Sequence, residues 1–336
     1  MPLHIWINGA VALFVLGAAV ATWRLRRNAL WREAGRELWR RRPLALAFVA
    51  LYSALALCDS ISWIDAEGTG VREPRSLLVR AFPVDFQEAS YSAPLADVEF
   101  YGGQPLQHPG AHWLGTDILG RDVLLQALRG ARVALLVGGL TSLIAIPLAL
   151  LFGVAAGYRG GWLDDLVLFL ISVLFAMPGL LLLIALIMAL GRGPVQVCVA
   201  LGVTGWVSFA RLARGETLKL RELDYVQAAR ALGVSELRII VRHVVPNLMH
   251  LVVITFVLMF SSLVLTEAVL AWLGLGIDGS WGQMIDRARD ELSRDPIIWW
   301  NLTAASAALF GLILAVNLVG DAVRDILDPR TLRERA

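Results

Sequence analysis

Stretches without Asp, Glu, Lys or Arg recur along the chain at 1–23, 43–58, 133–158, 166–191, 193–210, 243–266 and 296–320. A helix needs about 20 apolar residues to cross a bilayer core. Most of these runs reach that length. The 43–58 run extends through Ile61 and Trp63, and the 243–266 run continues past Glu267 to Gly276. The pattern predicts seven spans, at about 5–23, 44–63, 133–157, 166–190, 194–212, 248–274 and 298–320. Transmembrane strands would alternate over ~10 residues. These runs are longer and apolar on every face, so the expected class is an all-α polytopic membrane protein.

Basic residues orient the spans. Segments 24–42, 159–165, 211–242 and 321–336 carry 20 of the 30 basic residues and 12 of the 28 acids. The opposite side, 59–132, Arg192 and 278–295, has 10 basic and 15 acidic residues, and Glu267 lies within a span. The basic side is therefore expected in the cytoplasm, with the N-terminus outside and the C-terminus inside. Residues 1–5 lack the positive charge of a signal peptide. The first run thus reads as a retained span, with an interfacial or processed segment as the alternative.

Between the spans the patterns are shorter. In 24–42, Leu30, Trp31, Ala34, Leu38 and Trp39 share one helical face among arginines. This fits either an amphipathic helix on the cytoplasmic leaflet or a plain basic tether. Residues 59–116 are interrupted by Pro74, Pro83, Pro94, Pro105 and Pro109 and read as irregular. Segment 115–132 reads as a short interfacial helix capped by Asp117. Met177-Pro178-Gly179 falls in the middle of the fourth span, where proline removes an intrahelical hydrogen bond and kinks the helix. The domain reading is 1–43 as an extra first span with a basic segment, and 44–132 as the first core span with a long outer loop and interfacial helix. Residues 133–320 form a five-span core that includes a cytoplasmic hairpin at 211–247, and 321–336 a tail.

Composition then limits the chemistry. The chain is 57% hydrophobic and only 17% charged, far from soluble-domain averages, which excludes disordered and disulfide-scaffold classes. Cys58 and Cys198 both sit in apolar stretches and read as free thiols. His108 and His112 are four apart, but Pro109 and Gly110 between them argue against the shared helical face a zinc site would use. Lys219 is the only lysine and follows Leu218. A P-loop needs lysine after glycine, so no Walker A lysine is present and any ATP hydrolysis must come from another chain.

The most informative stretch is 224–247. Asp224 and Gln227 have capping-box spacing, and Ala228 and Ala229 are small helix formers. Gly233 can close a helix in the left-handed region. Ser235 can start a second helix, which Pro246 would stop before Asn247 opens the next span. The product is a helix–glycine–helix knob rimmed by Arg230, Glu236 and Arg238. It is suited to docking in a groove, or it is merely a connector.

This stretch resembles the EAA loop of ABC importer permeases, E-A-A-x3-G-x9-I-x-L-P. Gln227, Ala228, Ala229, Gly233 and Pro246 fall at its spacing, Gln227 replaces the glutamate, and His243 and Val245 replace the Ile-x-Leu positions. LGTDILGRDVL (114–124), RGARVALLVG (129–138), AGYRGGWLDD (156–165), LAWLGLGI (270–277), SWGQMI (280–285) and NLVGDAVRDILDPR (317–330) resemble the C-type subunit of dipeptide/oligopeptide/nickel importer permeases. The likeness covers about 114–330. Residues 1–43 and 59–110 depart from it, and the insertion after LGLGI is shortened to Asp278-Gly279.

The resemblance implies a type I importer helix bundle with a cytoplasmic coupling hairpin, in the cytoplasmic (inner) membrane of a bacterium. It also implies a B-type permease partner, two ATPases that bind ATP and Mg, and an external substrate-binding protein. Contact with lipid is expected, and no cofactor, metal or nucleic acid in this chain. The ATPase-coupling residues it implies are Tyr225, Gln227, Ala228, Ala229, Arg230, Gly233, Ser235, Glu236, Arg238 and Pro246. Two intramembrane residues stand out as a pathway or bundle polar site, Glu267 and Pro178. Glu267, an acid at membrane depth, either binds a substrate amine or bonds a neighbouring helix. Asn317 and Asp321 read as bundle or interface residues, and Trp162, Trp299 and Trp300 as interfacial anchors. Peptide cargo is the first reading, and a nickel chelate or a glutathione-like molecule the alternative. From other classes, an ion-coupled secondary transporter would show paired broken helices with charges in both halves, and a non-transporting scaffold would bring no ATPases.

Overall fold

The computed structural model describes residues 8, 29–64, 74–82 and 88–327. The span expected at 5–23 lies outside these, apart from Asn8, whose side-chain amide exchanges hydrogen bonds of 2.6 and 3.1 Å with the backbone of Ser62. In chain order the helices are α1 (Ala29–Arg41), α2 (Pro43–Ser60), α3 (Leu77–Arg80), α4 (Val123–Arg159), α5 (Gly161–Ala176), α6 (Gly179–Leu190), α7 (Pro194–Leu220), α8 (Asp224–Ala231), α9 (Glu236–Ile239), α10 (Val245–Trp272), α11 (Trp281–Glu291) and α12 (Trp300–Leu327). A π-helical segment, Ile240–Val244, joins α9 to α10. The ribbon β1 (Ser62–Trp63) and β2 (Arg75–Ser76) is antiparallel.

Five of these helices, counting Glu236–Trp272 as one, are long and apolar enough to cross a membrane, and the pair α5 and α6 brings the number to six. They match the expected spans from the second onward. Their ends differ, because the helices outrun the charge-free runs. Segment 115–132 holds no separate helix. α4 starts at Val123, where the Asp122 carboxylate accepts the Leu125 N–H at 2.8 Å, and it continues to Arg159. Asp117 is not the cap; it accepts the N–H groups of Leu119 and Arg121, both at 2.9 Å, and so closes the turn that leads in. Between α5 and α6 the axis turns by 93° at Met177-Pro178.

The chain packs as two compact units, one of residues 1–135 with 266–336 and the other of 136–265. In the first unit α2 packs on α12, and the Tyr52 hydroxyl donates to Ala308 O at 2.9 Å. Gly311 makes room for that hydroxyl, which would lie 2.7 Å from a β-carbon there. α1 lies against the C-terminal end of α12, with Arg41 at 4.0 Å from Asp325. Trp281 is buried and donates to Ala127 O at 2.7 Å. Buried Asp59, which ends a span, is held by Arg129 at 3.3 Å, Arg132 at 3.2 Å and Ser76 at 2.8 Å. Trp300 is not an exposed anchor: it is buried and donates to Thr116 O at 2.9 Å, pinning the segment before α4 to α12. Trp162 and Trp299 are exposed.

The second unit is built on close helix approach. A β-carbon at Gly153 would lie 2.5 Å from Ala210 O, and one at Gly157 2.7 Å from Arg214 O, so these glycines let α4 and α7 touch backbone to backbone. Around them Ala145, Ala149, Val167, Ile171, Trp206 and Phe209 form the core. Cys198 is buried in α7 and Cys58 half-buried in α2, and neither forms a disulfide among the described residues.

Candidate functional site

The hairpin rests on its own small core. Val226 of α8 and Ile239 of α9 point inward onto Val154, Tyr158, Val244 and Leu248, with Ala229 packed alongside. α8 closes by a Schellman turn. The Val234 N–H reaches Ala229 O at 3.1 Å and the Gly233 N–H reaches Arg230 O at 3.0 Å. Gly233 has φ +77°, in the left-handed region where a β-carbon is strained. The base is fixed by ion pairs and a carbonyl. Arg214 grips Asp164 through two bonds of 2.5 and 2.6 Å, Arg159 meets Glu236 at 3.1 Å, and Arg221 donates to Gly157 O at 3.0 Å.

Two expected local features are absent. The capping box does not form: Leu223 is the N-cap of α8, which puts Asp224 inside the first turn, and Gln227 instead donates to Glu222 at 3.1 Å. Ser235 does occupy the N-cap of α9, without a side-chain cap bond. Pro246 does not stop the second arm. The helix runs on from Glu236 to Trp272. The π register carries the chain across the missing proline N–H, with the Val245 N–H bonding Ile240 O. The Asn247 amide adds bonds of 2.5 Å to His243 O and 3.1 Å to the Tyr225 hydroxyl. Tyr225 is thereby tied to the helix that continues into the span.

The expected coupling residues therefore share one projection. Gln227, Ala228, Arg230, Gly233, Ser235, Glu236 and Arg238 are exposed on it, Ala229 is half-buried beneath, and Tyr225 and Pro246 mark its base. The two large apolar residues most exposed on it escaped the motif reading. Leu232 is 83% exposed and Leu237 72% exposed, on either side of Gly233. The available signal was two leucines flanking a turn, outside the inward-facing pattern of Val226 and Ile239. The hairpin thus presents an exposed apolar tip on a braced base, the kind of surface that marks an interaction site.

Glu267 and Pro178 fall in different packing units. The Glu267 carboxylate is buried in α10 and accepts the Ile277 N–H at 3.2 Å, tying down the turn after that helix. Beyond that turn Ser280 caps α11 by accepting the Gln283 N–H at 3.1 Å. Pro178 is the N-cap of α6, at the break. Just before it, the Arg211 guanidinium of α7 lies 3.9 Å over the Phe175 ring. Sequence reading had assigned Arg211 to the cytoplasmic loop. Elsewhere, the Glu291 Oε1 accepts from the Asn301 amide at 3.1 Å, while Glu291 Oε2 and Asn301 Oδ1 are buried without a hydrogen-bond partner. Burial holds the Glu291 carboxyl above its ordinary range, against the lowering effect of the Asn301 amide.

Comparison with known proteins adds an independent line. Residues 149–333 match the family described as binding-protein-dependent transport system inner membrane component. The chain is 38% identical to the glutathione transport system permease protein GsiD of Pectobacterium atrosepticum, over 66% of this chain and 73% of that protein. It is 34% identical to the oligopeptide transport system permease protein OppC of Bacillus subtilis, over 65% and 72%. With the dipeptide transport system permease protein DppC of the same organism the identity is 38%, over 68% and 72%.

Proposed function

The chain belongs to the family of binding-protein-dependent transport system inner membrane components, and from that premise we propose that it forms one half of the translocation pathway of a peptide importer. Membership makes it a polytopic permease subunit of an ABC importer, a class that works with ATPase and substrate-binding partners. In our reading the other half is a homologous B-type permease. Two cytoplasmic ATPases bind ATP and Mg and dock on the 224–246 hairpin, and an external binding protein delivers the cargo. The N-terminus lies outside and the C-terminus in the cytoplasm. Names of relatives support peptide cargo first, with a glutathione-like tripeptide close behind.

The observation that carries the coupling role is the hairpin itself. Leu232 and Leu237 stand in solvent on a tip whose base is braced by Arg159, Arg214 and Arg221. Glu267, with its carboxylate spent on the turn that follows α10, serves the bundle in this reading. The test is reconstitution with the partner permease, ATPases and binding protein. ATP-dependent uptake of a labelled tripeptide supports the proposal. A purified chain that recruits no ATPase defeats it. In a cysteine-free background, an impermeant thiol reagent should label His4→Cys and not Arg36→Cys in spheroplasts; the reverse overturns the orientation.

A further inference from the structure

Two neighbouring arginines of α7 point opposite ways. Arg214 reaches Asp164, near the cytoplasmic start of α5. Arg211, three residues away, reaches Phe175 at the far end of the same helix. Asp164 and Phe175 are eleven residues apart, about 16 Å along the axis at 1.5 Å per residue. Arg211 therefore does not snorkel toward the inner surface, as arginines near a helix end do. Side chains lean toward the N-terminus of their helix, and α7 begins, in the proposed orientation, on the outer side. The guanidinium is carried inward to membrane depth.

At that depth a cation needs a counter-charge or a watery cavity. Among the described residues, no carboxylate pairs with Arg211 and no hydrogen bond uses its donors; its guanidinium lies over the Phe175 ring face. Two residues beyond Phe175 the helix breaks by 93° at Met177-Pro178. Backbone freed by such a break is tolerated in a membrane only against protein or water. Two separate demands for polar surroundings thus coincide in one place. Phe175 holds the cation by its ring face and leaves the edge of the guanidinium open. That edge is a planar set of N–H donors which matches a carboxylate by two parallel bonds.

We infer that Arg211, held over Phe175 beside the break in the fourth span, is the residue that receives the carboxylate of the cargo in the translocation pathway. The inference rests on the peptide-importer reading and names the group on the peptide that this chain recognises. A lipid phosphate is the less suitable anion, because phosphates stay at the headgroup level while the guanidinium lies up the helix from Asp164. Phe175 then acts as a positioning residue that keeps the cation in place between cargoes.

The experiment uses the full reconstituted importer with two labelled tripeptides, one with a free C-terminal carboxylate and one amidated. Arg211→Gln and Arg211→Met remove the charge, Arg211→Lys keeps it, and co-purification of the ATPases checks assembly of each. For the free-acid peptide, uptake at subsaturating concentration should fall at least about tenfold in the neutral variants. The amidated peptide should lose much less, and Arg211→Lys should restore part of the difference. Equal loss for both peptides would overturn the inference, pointing to a lipid or partner-subunit anion instead. So would undiminished uptake of the free acid. If every variant failed to assemble, Arg211 would be a structural residue and the inference would likewise fall. A wild-type importer that moves neither peptide would refute the peptide reading itself, a result distinguishable from all of these.

Discussion

Replacing Gly233 separates the backbone of the knob from its surface. The residue sits at φ +77° and closes α8 through the Val234 to Ala229 and Gly233 to Arg230 bonds. A β-carbon there meets nothing within 4 Å of this chain. The cost of a side chain is therefore conformational, about 1–2 kcal/mol for an L-residue in the left-handed region. Valine is the worst case, because its branched carbon adds crowding against its own backbone. Asparagine is the mildest, since it visits this region with less penalty. A loss of 1–2 kcal/mol lowers the ratio of closed to open hairpin by roughly 5–30-fold. The spans and the pairing of permeases should survive, because the strain is confined to an exposed turn. Co-purified ATPase and ATP-dependent uptake should both decline in the order Gly, Asn, Ala, Val. If asparagine proved worse than alanine, the loss would follow side-chain size against the partner, and the backbone argument would be refuted. Wild-type docking and uptake in Gly233→Val would reduce the hairpin to a connector.

Gly153→Ala places a carbon 2.5 Å from Ala210 O; it should lower the detergent-state unfolding midpoint by an amount equivalent to about 1–3 kcal/mol, whereas Gly139→Ala, in open space inside the same helix, should leave it unchanged or raise it slightly. Glu267→Gln should keep an acceptor for the Ile277 N–H and preserve assembly yield, while Glu267→Leu strands that N–H at about 1–3 kcal/mol and should reduce yield; a Leu variant as stable as wild type would refute this role. Glu291 is raised by burial, so the folded state favours its proton. Its contribution to stability is fully present below the ordinary glutamate value near 4.5 and is lost as pH rises through the elevated folded value. Glu291→Gln, whose amide can donate to Asn301 Oδ1, should therefore match wild type at acid pH and unfold at a higher temperature at pH 8; the same wild-type deficit at both pH values would refute it.

Hydrophobicity made the spans legible because burial in lipid is dictated by side-chain chemistry alone. It could not place helix ends, since a helix keeps its hydrogen bonds after leaving the bilayer: α4 begins ten residues before the charge-free run at 133 and α7 ends ten residues after the run that closes at 210. The break at Pro178 was legible, but continuity through Pro246 was not. The difference lies in a π register and one asparagine amide, and spacing rules do not register either. Gly233 could be read directly, since a positive φ after a helix is what glycine alone adopts freely. Trp300 could not, because its partner, Thr116 O, lies 184 residues away.

The packing of α2 on α12 also sets a timetable for synthesis. Tyr52 and Ala308, which join them, are 256 residues apart. At about 5–20 residues per second, the first of these helices waits roughly 13–51 s in the membrane before its neighbour leaves the ribosome. The unit of residues 136–265 is one uninterrupted segment and can assemble during that interval. The other unit is finished last, whatever the rate. A chain stopped before α12 would carry a complete 224–246 hairpin on an incomplete bundle, with the Tyr52 hydroxyl lacking its acceptor.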